Sequence, residues 1–352
     1  MKKVLIILIC LSMVLTMISC NRSPGDGSDG SLSSDISNSQ SSEGSSVSSG
    51  DDNPAANPAS DFQYVFSENG ESVYISKYIG TSETVVIPSE IEGRPVLVIK
   101  GVSQNMEIVS GAFENTGVRS VVIPESVTVI GISAFKDCKE LEEVTVSSQC
   151  ERLSVKAFQN CSKLEYIDLS RTKITRLEAD AFSGCTSLKE IRLPDTLQEI
   201  EQKAFYNCTA LEALELPSGL LKIGEEALFS CTSLKTINIP TDLYLRCQTS
   251  PVAYEVSSLE KIVFDDGREE IDGYAFFAIK SNAEIYIPAS VKKFETWTFF
   301  IYSDVKIIFS GDCPEVLGES KLLGNATIYY DPDTEGWDEC EWKNIFPMIP
   351  IE

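Results

Sequence analysis

The chain of 352 residues contains no histidine. Imidazole is the usual general base near neutral pH, the common activator of nucleophilic Ser and Cys, and a frequent ligand of catalytic zinc, so its absence argues against most hydrolases. The sequence also lacks a C-x-x-C motif, a Walker loop, a dinucleotide-binding fingerprint and a G-x-S-x-G nucleophile elbow. We therefore expect no catalytic residues, no metal and no cofactor.

Positive charge is scarce as well. The chain has 29 Lys and Arg against 53 Asp and Glu, which gives a formal net charge of -24. A field of this sign repels phosphate backbones and anionic lipid headgroups, so we expect no nucleic-acid partner and no polybasic attachment to a membrane surface. The hydrophobic fraction of 43% is enough to bury a large core, in conventional domains or in one elongated body.

The N-terminus, MKKVLIILICLSMVLTMISC, has the charged start and apolar run of a signal peptide. The uncharged segment 4–19 is short for a membrane span. Its ending, MISC, resembles the lipobox of bacterial lipoproteins, in which Cys becomes the lipidated first residue. We expect residues 1–20 to be a lipoprotein signal peptide and Cys20 to anchor the protein to the outer face of the bacterial cell envelope. Plain secretion with cleavage nearby, or an uncleaved anchor, is the alternative.

Residues 21–60 are rich in Ser, Gly and Asp and almost free of aliphatic side chains. Such a segment cannot bury enough apolar surface to offset the entropy lost on ordering, so we expect a disordered tether. Its average reach, from the scaling of flexible linkers, is about 35 Å. The globular part of the protein would then stand clear of the envelope.

From about residue 62 the composition becomes that of a globular protein, and from Ala112 the sequence repeats itself. An Ala-Phe pair, degenerate in the later copies, recurs at intervals of 22 to 26 residues. This period predicts a solenoid, because a unit of that length cannot bury its apolar side alone and stacked units bury a continuous core. The copies begin at Ala112, Ala134, Ala157, Ala181, Ala204, Ala227, Ala253, Ala275 and Thr298.

Each unit carries an L-x-x-I-x-L segment, for example Leu188, Ile191 and Leu193. The last two positions are two residues apart and therefore share one face of a predicted short strand. A Pro often ends this strand, because it cannot donate to a continuing ladder. A second aliphatic pair follows, as at Leu197 and Ile200, before a polar corner returns the chain to Ala-Phe.

The pattern A-F-x-x-C-x-x-L-x-x-[VI]-x-[IL]-P, followed by x-x-[VL]-x-x-I-[GE], resembles the BspA-like leucine-rich repeat family of bacterial surface proteins. The resemblance covers roughly residues 85–310 and is strongest over 134–240. It implies a β-rich, right-handed leucine-rich repeat solenoid of about nine units of 22–26 residues, with a cap at each end. The expected parts are an N-terminal cap with a hairpin-forming first unit (61–110), the repeat solenoid (111–310) and a C-terminal cap (311–352).

Five cysteines recur three residues after the Phe of their units, or after Leu228 in the last of them. Stacked positions lie about 4.8 Å apart, which would permit a disulfide by distance, but parallel Cβ vectors are poor for bridging. We expect buried free thiols acting as small hydrophobes, with disulfides between units or metal and redox chemistry as alternatives. A Cys313–Cys340 bridge closing the C-terminal cap is also possible in an exported protein. The five repeated cysteines are Cys138, Cys161, Cys185, Cys208 and Cys231.

Three other patterns have structural explanations that we prefer. Trp297, Trp337 and Trp342 are expected to cap the last hydrophobic unit, although an exposed sugar-binding platform is conceivable. Asp331 and Asp333 begin like a calcium loop, but Trp342 stands where the bidentate Glu should be. The Asn residues before two of the repeated cysteines create glycosylation sequons that we regard as coincidence.

The residues between the aliphatics of L-x-x-I-x-L should point away from the core, in two columns that run along the array. These columns vary from unit to unit while the core stays fixed. Such variation is typical of a recognition surface, and also of solvent-facing positions without constraint. We predict the acidic, Tyr-bearing middle of the columns as the partner-binding site: Tyr166, Asp168, Glu190, Arg192, Glu215 and Asn238.

The resemblance implies a cell-surface protein that binds without chemistry, in adhesion to a host or microbial surface protein. The alternative is an envelope scaffold or spacer that assembles other surface proteins. An enzyme acting on polysaccharide is the weakest hypothesis. It would need two carboxyls facing each other across a cleft, which a regular solenoid face does not offer.

Overall fold

A computed structural model describes residues 55–104, 107–243, 256, 258–271, 282–294, 304–316 and 325–352. The predicted signal peptide, Cys20 and the tether up to residue 54 lie outside these ranges, as do the repeat copies expected at Ala253, Ala275 and Thr298. Within the ranges, no helix has the length and apolar character needed to cross a bilayer.

The N-terminal unit is built on the predicted hairpin. A single 3-10 turn, Ala59–Asp61, leads into two antiparallel strands, and the second of these pairs in parallel with a later strand that begins the stack. The hairpin expected from the sequence is thereby confirmed. The strands of this unit are β1 (Phe62–Phe66), β2 (Val73–Tyr78), β3 (Thr84–Val86), β4 (Glu90–Ile91), β5 (Arg94–Ile99), β6 (Val102–Gln104) and β7 (Glu107–Ser110).

The repeats add short parallel strands, and the chain ends after a second 3-10 turn, Glu341–Asn344. In chain order these strands are β8 (Ser120–Val122), β9 (Val129–Ile130), β10 (Glu143–Thr145), β11 (Arg152–Leu153), β12 (Tyr166–Asp168), β13 (Arg176–Leu177), β14 (Glu190–Arg192), β15 (Glu199–Ile200), β16 (Ala213–Leu214), β17 (Lys222–Ile223), β18 (Thr236–Ile239), β19 (Lys261–Phe264), β20 (Glu270–Ile271), β21 (Glu284–Ile287), β22 (Lys293–Phe294), β23 (Val305–Phe309), β24 (Glu315–Val316), β25 (Ala326–Tyr330) and β26 (Met348–Pro350).

These strands form two series along the array. The L-x-x-I-x-L segments and their C-terminal equivalents give the front strands, which are β3, β8, β10, β12, β14, β16, β18, β19, β21, β23, β25 and β26. The second aliphatic pairs give the flank strands, which are β5, β9, β11, β13, β15 and β17, then β20, β22 and β24. The front strands confirm the solenoid, and the flank strands add a second parallel ladder.

The core of the described repeats is a column of stacked phenylalanine rings. Their side chains are fully buried, and neighbouring ring centroids lie 4.8 to 5.8 Å apart. Offset stacking of this kind contributes beyond the area it removes from water. Each Phe amide donates to the Ala carbonyl of the next unit at 2.7 to 2.9 Å. The small Ala side chain before each Phe leaves room for the turns to approach this closely. The rings belong to Phe113, Phe135, Phe158, Phe182 and Phe205.

The five turns that hold the repeated cysteines contain backbone in the left-handed region. One such residue precedes Ala, as at Lys156 with φ 60°, and another precedes the repeated Cys, as at Asn160 with φ 61° and Gly184 with φ 77°. Asn and Gly tolerate this region better than other residues. The Asn residues before Cys are therefore explained by backbone geometry, which accounts for the sequons without glycosylation.

Replacing Lys156 with glycine is expected to raise the free energy of unfolding by about 0.5–1 kcal/mol, because the left-handed backbone disfavours a side chain there. The change in the midpoint of urea unfolding measures the effect. The matched control is Lys139→Gly at an exposed turn position that is not in the left-handed region, where we expect destabilisation. Equal losses at both positions would show that the turn geometry has been assigned wrongly.

Candidate functional site

Alternate residues of the front strands project into solvent, as the sequence predicts. In β14, Ile191 is buried while Glu190 and Arg192 on either side of it are exposed. In β12, Ile167 is buried and Tyr166 is 40% exposed. The outward positions of β12 and β14 lie side by side because these two strands pair in register, and the strands from β16 to β26 pair in a second, separate ladder. We call the surface formed by the outward residues of the front strands the front face.

Four of the six predicted site residues form one group on β12 and β14, which we call the charged cluster: Tyr166, Asp168, Glu190 and Arg192. Tyr166 pairs in register with Glu190, and Asp168 pairs with Arg192. The Arg192 guanidinium lies 5.8 Å from the centroid of the Tyr166 ring, and its Nε donates to Glu190 at 3.2 Å. These contacts confirm that the strand register brings the predicted residues together.

Asp168 is held in its ionised form within the charged cluster. The Ser170 hydroxyl donates to the Asp168 carboxylate at 2.6 Å, and the Ser170 amide donates to the same oxygen at 2.9 Å. The hydrogen bond from the Ser170 hydroxyl is the main cause that lowers the pKa of Asp168. The hydrogen bond to Glu190 likewise raises the pKa of Arg192. At neutral pH the cluster therefore presents fixed charges of both signs beside an exposed aromatic ring.

The other two predicted residues lie further along the front face. Glu215 is exposed just after β16. Asn238 in β18 is half-buried, and its side chain joins successive units: it accepts from the Leu216 amide at 2.7 Å and donates to the Leu216 carbonyl at 2.9 Å. Its Nδ2 also lies 3.2 and 3.3 Å from the two carboxylate oxygens of Asp265. Asn238 thus extends the ladder beyond the two residues of β16.

Towards the C-terminus the outward column becomes apolar over five adjacent strands, β19, β21, β23, β25 and β26. The first four of its side chains are half-buried, and Ile349 is 42% exposed. At about 4.8 Å per strand the column is about 19 Å long. We call it the apolar stripe. It consists of Val263, Tyr286, Ile308, Tyr329 and Ile349, each paired in register with the next.

The Tyr286 ring of the apolar stripe is fixed by charged neighbours. The Tyr286 hydroxyl donates to Glu284 at 2.8 Å, and Lys306 donates to the other oxygen of that carboxylate at 3.0 Å. The Lys261 ammonium lies 4.6 Å from the Tyr286 ring centroid. The hydrogen bond to Glu284 is the main cause that raises the pKa of Tyr286, so the hydroxyl stays protonated. A side chain held in this way loses little conformational entropy when a partner covers it.

Sequence reasoning placed Val263, Tyr286 and Ile308 in the outward columns but assigned the site to the charged middle. Tyr329 and Ile349 were missed because the repeat motif is lost in the C-terminal cap. The signal available there was strand alternation: in ATIYY, Ala326 and Ile328 are buried, whereas Thr327 and Tyr329 are half-buried. That alternation indicates which side chains of this strand face outward, and the pairing of β25 with β23 places Tyr329 beside Ile308.

The tryptophans of the C-terminal cap confirm the capping prediction. Trp337 and Trp342 are each 3% exposed. Trp337 stacks on Tyr330 with a centroid distance of 4.9 Å, and its indole nitrogen donates to the Gly311 carbonyl at 3.1 Å. Both rings pack against Phe309 at the end of the core. Trp297 lies outside the described residues.

The five repeated cysteines are buried free thiols, as expected. Each Sγ donates to the Phe carbonyl of the preceding unit at 2.9 to 3.2 Å. Burial raises the pKa of Cys138 to about 11 and that of Cys231 to about 12. Because the thiolate is the reactive form, these side chains have a packing role rather than a chemical one.

Native alkylation is expected to leave the repeated thiols unmodified at pH 8, because all five are buried and the raised pKa of Cys138 and Cys231 keeps their thiolates rare. Since the folded pKa of Cys138 is raised, its contribution to stability is complete below the unfolded pKa near 9.0 and is lost as pH rises towards about 11. Iodoacetamide labelling followed by peptide mapping measures the protection from alkylation, with labelling in urea as the control. Rapid native labelling of Cys185 would contradict it.

A family model described as "BspA type Leucine rich repeat region" matches the chain over residues 106–191, 157–249 and 247–319, in six copies. A search of curated proteins found no match. Solved structures similar to the chain include a Treponema pallidum leucine rich repeat protein, which is 25% identical, with 60% of this chain and 86% of that chain covered and a TM-score of 0.42.

Other similar structures include the following two. A leucine rich cell surface protein from Faecalibacterium prausnitzii is 21% identical, with 86% of this chain and 96% of that chain covered and a TM-score of 0.43. The pneumococcal vaccine antigen PcpA is 16% identical, with 83% of each chain covered and a TM-score of 0.33. These likenesses concern the fold.

Proposed function

The chain belongs to the BspA-type leucine-rich repeat family, and from this premise we propose that it is a non-catalytic surface protein that binds a macromolecular partner through its front face. The observation that carries the proposal is the apolar stripe, which continues the outward column that holds Asp168 and Arg192. Leucine-rich repeat solenoids of this family are in general not enzymes.

The apolar stripe has the composition of a contact surface. Contiguous apolar side chains on a soluble protein are typical of interaction sites, and Tyr is enriched where binding energy concentrates. Tyr286 and Tyr329 flank Ile308 across three paired strands. From β12 to β26 the front strands span about 40 Å, which suits a folded protein partner better than a small ligand.

The charged cluster would orient the partner rather than provide most of the affinity. Its four residues are exposed or half-buried, so their ion pairs contribute little to stability. Complementary charges across an interface mainly accelerate association and fix its register. A partner with apolar side chains opposite the apolar stripe and charges of both signs opposite the charged cluster would match the front face.

We place the protein on the extracellular face of the bacterial envelope, anchored by lipid at Cys20 and separated from the membrane by the tether that begins at residue 21. The MISC motif and the composition of the tether support this location. The front face would then meet proteins outside the cell. Adhesion to a host or microbial surface protein is the function that fits best.

Capture experiments with the immobilised full-length protein test this proposal. One extract contains host surface proteins or those of other microbes, and the second contains the cell's own envelope proteins. Adhesion predicts that the wild-type protein captures a partner from the first extract and that the Ile308→Asp variant does not retain it. A partner recovered only from the second extract would replace adhesion with the scaffold function. Turnover of a glycan by the purified protein would overturn the non-catalytic assignment.

A further inference from the structure

Two cysteines outside the repeated set meet in the C-terminal cap. The Sγ of Cys313 donates to the Sγ of Cys340 at 2.8 Å. A disulfide needs sulfur atoms about 2.05 Å apart, so a closing movement of under about 1 Å joins them. The repeated thiols are arranged differently, because each donates to a carbonyl oxygen of the preceding unit.

The backbone holds both cysteines in place. The Cys313 amide donates to the Glu335 carbonyl at 2.9 Å. Gly336 next to it has φ +85°, and a Cβ there would lie 3.3 Å from the Cβ of Cys313. Glycine therefore allows the cap to approach Cys313 closely. On the other side, the Lys343 amide donates to the Cys340 carbonyl at 3.2 Å, which fixes the start of the Glu341–Asn344 turn.

From this geometry we propose that Cys313 and Cys340 form a disulfide in the mature protein. The cross-link would tie the turn after β23 to the cap that follows β25. It encloses a loop with a sequence separation of 27 residues, which includes β25 and the buried Trp337. Because the ends of a solenoid lack a neighbouring unit, they open most easily, and a cross-link there restricts that opening.

The chemistry is thiol–disulfide exchange with a disulfide oxidant. The thiolate of one cysteine attacks the oxidant's disulfide, forms a mixed disulfide and releases one thiol of the oxidant. The thiolate of the second cysteine then attacks the protein sulfur of that mixed disulfide and releases the other thiol. Two protein thiols lose two protons and two electrons, and the oxidant becomes two thiols. Cys313 is half-buried, so an oxidant has access to it, whereas the repeated thiols are fully enclosed.

The cross-link adjoins the apolar stripe. Ile308 lies in β23, which leads into Cys313, and Tyr329 lies in β25 inside the closed loop. A closed cap would therefore keep the two strands that carry these side chains in register. An exported protein would meet the oxidant outside the cytoplasm.

Peptide mapping of the purified full-length protein after incubation with oxidised glutathione tests the proposal. Free thiols are alkylated in urea, and trypsin is added without a reductant. We expect peptide 307–321, which contains Cys313, to be joined to peptide 322–343, which contains Cys340, with a mass two hydrogens below their sum. The repeated cysteines should be recovered alkylated. Recovery of both cap cysteines alkylated, or only as glutathione adducts, would overturn the proposal.

Thermal unfolding provides a second readout. Oxidised wild type is expected to melt about 5–10 °C above the same protein with reductant, from the usual effect of a disulfide. In the Cys313→Ser/Cys340→Ser variant, the reductant should cause no shift. An equal shift in both proteins would assign the effect to other cysteines and contradict the proposal. The mapping of wild type needs no variant, so a folding defect in the double variant does not affect it.

Discussion

Ile308→Asp is expected to weaken binding of the captured partner by at least about tenfold, the loss typical of a central interface residue. Ile308 lies at the middle of the apolar stripe, between Tyr286 and Tyr329. The substitution removes apolar contact area and places a charge where a partner would have to desolvate it. Surface plasmon resonance with the immobilised full-length protein measures the change in dissociation constant.

A matched control uses the same change on the flank strands. Leu221, just before β17, is 46% exposed and apolar. Leu221→Asp should leave the dissociation constant unchanged, because we place the partner on the front face. If Leu221→Asp weakened binding as much as Ile308→Asp, the assignment of the front face would be wrong. The urea midpoints of both variants should stay close to wild type, since neither side chain is fully buried.

Phe158→Ala is expected to lower the free energy of unfolding by about 3–5 kcal/mol, the usual cost of removing a buried aromatic ring. Phe158 is fully buried, with ring centroids 5.1 Å from Phe135 and 5.5 Å from Phe182. Its removal leaves a cavity between two rings whose positions are set by backbone hydrogen bonds, so the surroundings cannot close it. Urea unfolding monitored by circular dichroism measures the loss.

The matched control for this prediction is Phe66→Ala. Phe66 is 42% exposed at the end of β1, where the Arg94 guanidinium lies 4.6 Å from its ring centroid. Its removal should cost under about 1 kcal/mol, as for most surface positions. Similar losses at Phe66 and Phe158 would mean that the phenylalanine column is not the main stabilising element of the stack.

The repeat alone was sufficient to predict the fold. A period of 22 to 26 residues with recurring Phe, Cys and aliphatic positions can be satisfied only by stacking. The flank strands were not predicted, because a two-residue strand such as Glu199–Ile200 has no alternation to detect. Such a strand exists only because the unit before it and the unit after it supply its hydrogen bonds.

The charged cluster was predictable because parallel pairing in register places equivalent repeat positions side by side. The role of Asn238 was not, since its bonds to Leu216 depend on where the neighbouring strand β16 ends. The full length of the apolar stripe was missed for a related reason. Tyr329 and Ile349 follow strand alternation rather than the repeat motif, so only the observed pairing of β23, β25 and β26 connects them to Ile308.

Site-specific photo-crosslinking tests the central claim, that the front face carries the binding function, most directly. A photoreactive amino acid is placed at Tyr166, at Ile308 or at Leu221, and the protein is irradiated with the captured partner. All three positions carry large side chains that are exposed or half-buried, but only the first two belong to the front face. We predict covalent adducts from Tyr166 and Ile308 and none from Leu221. Adducts from Leu221 without any from the front face would contradict the account.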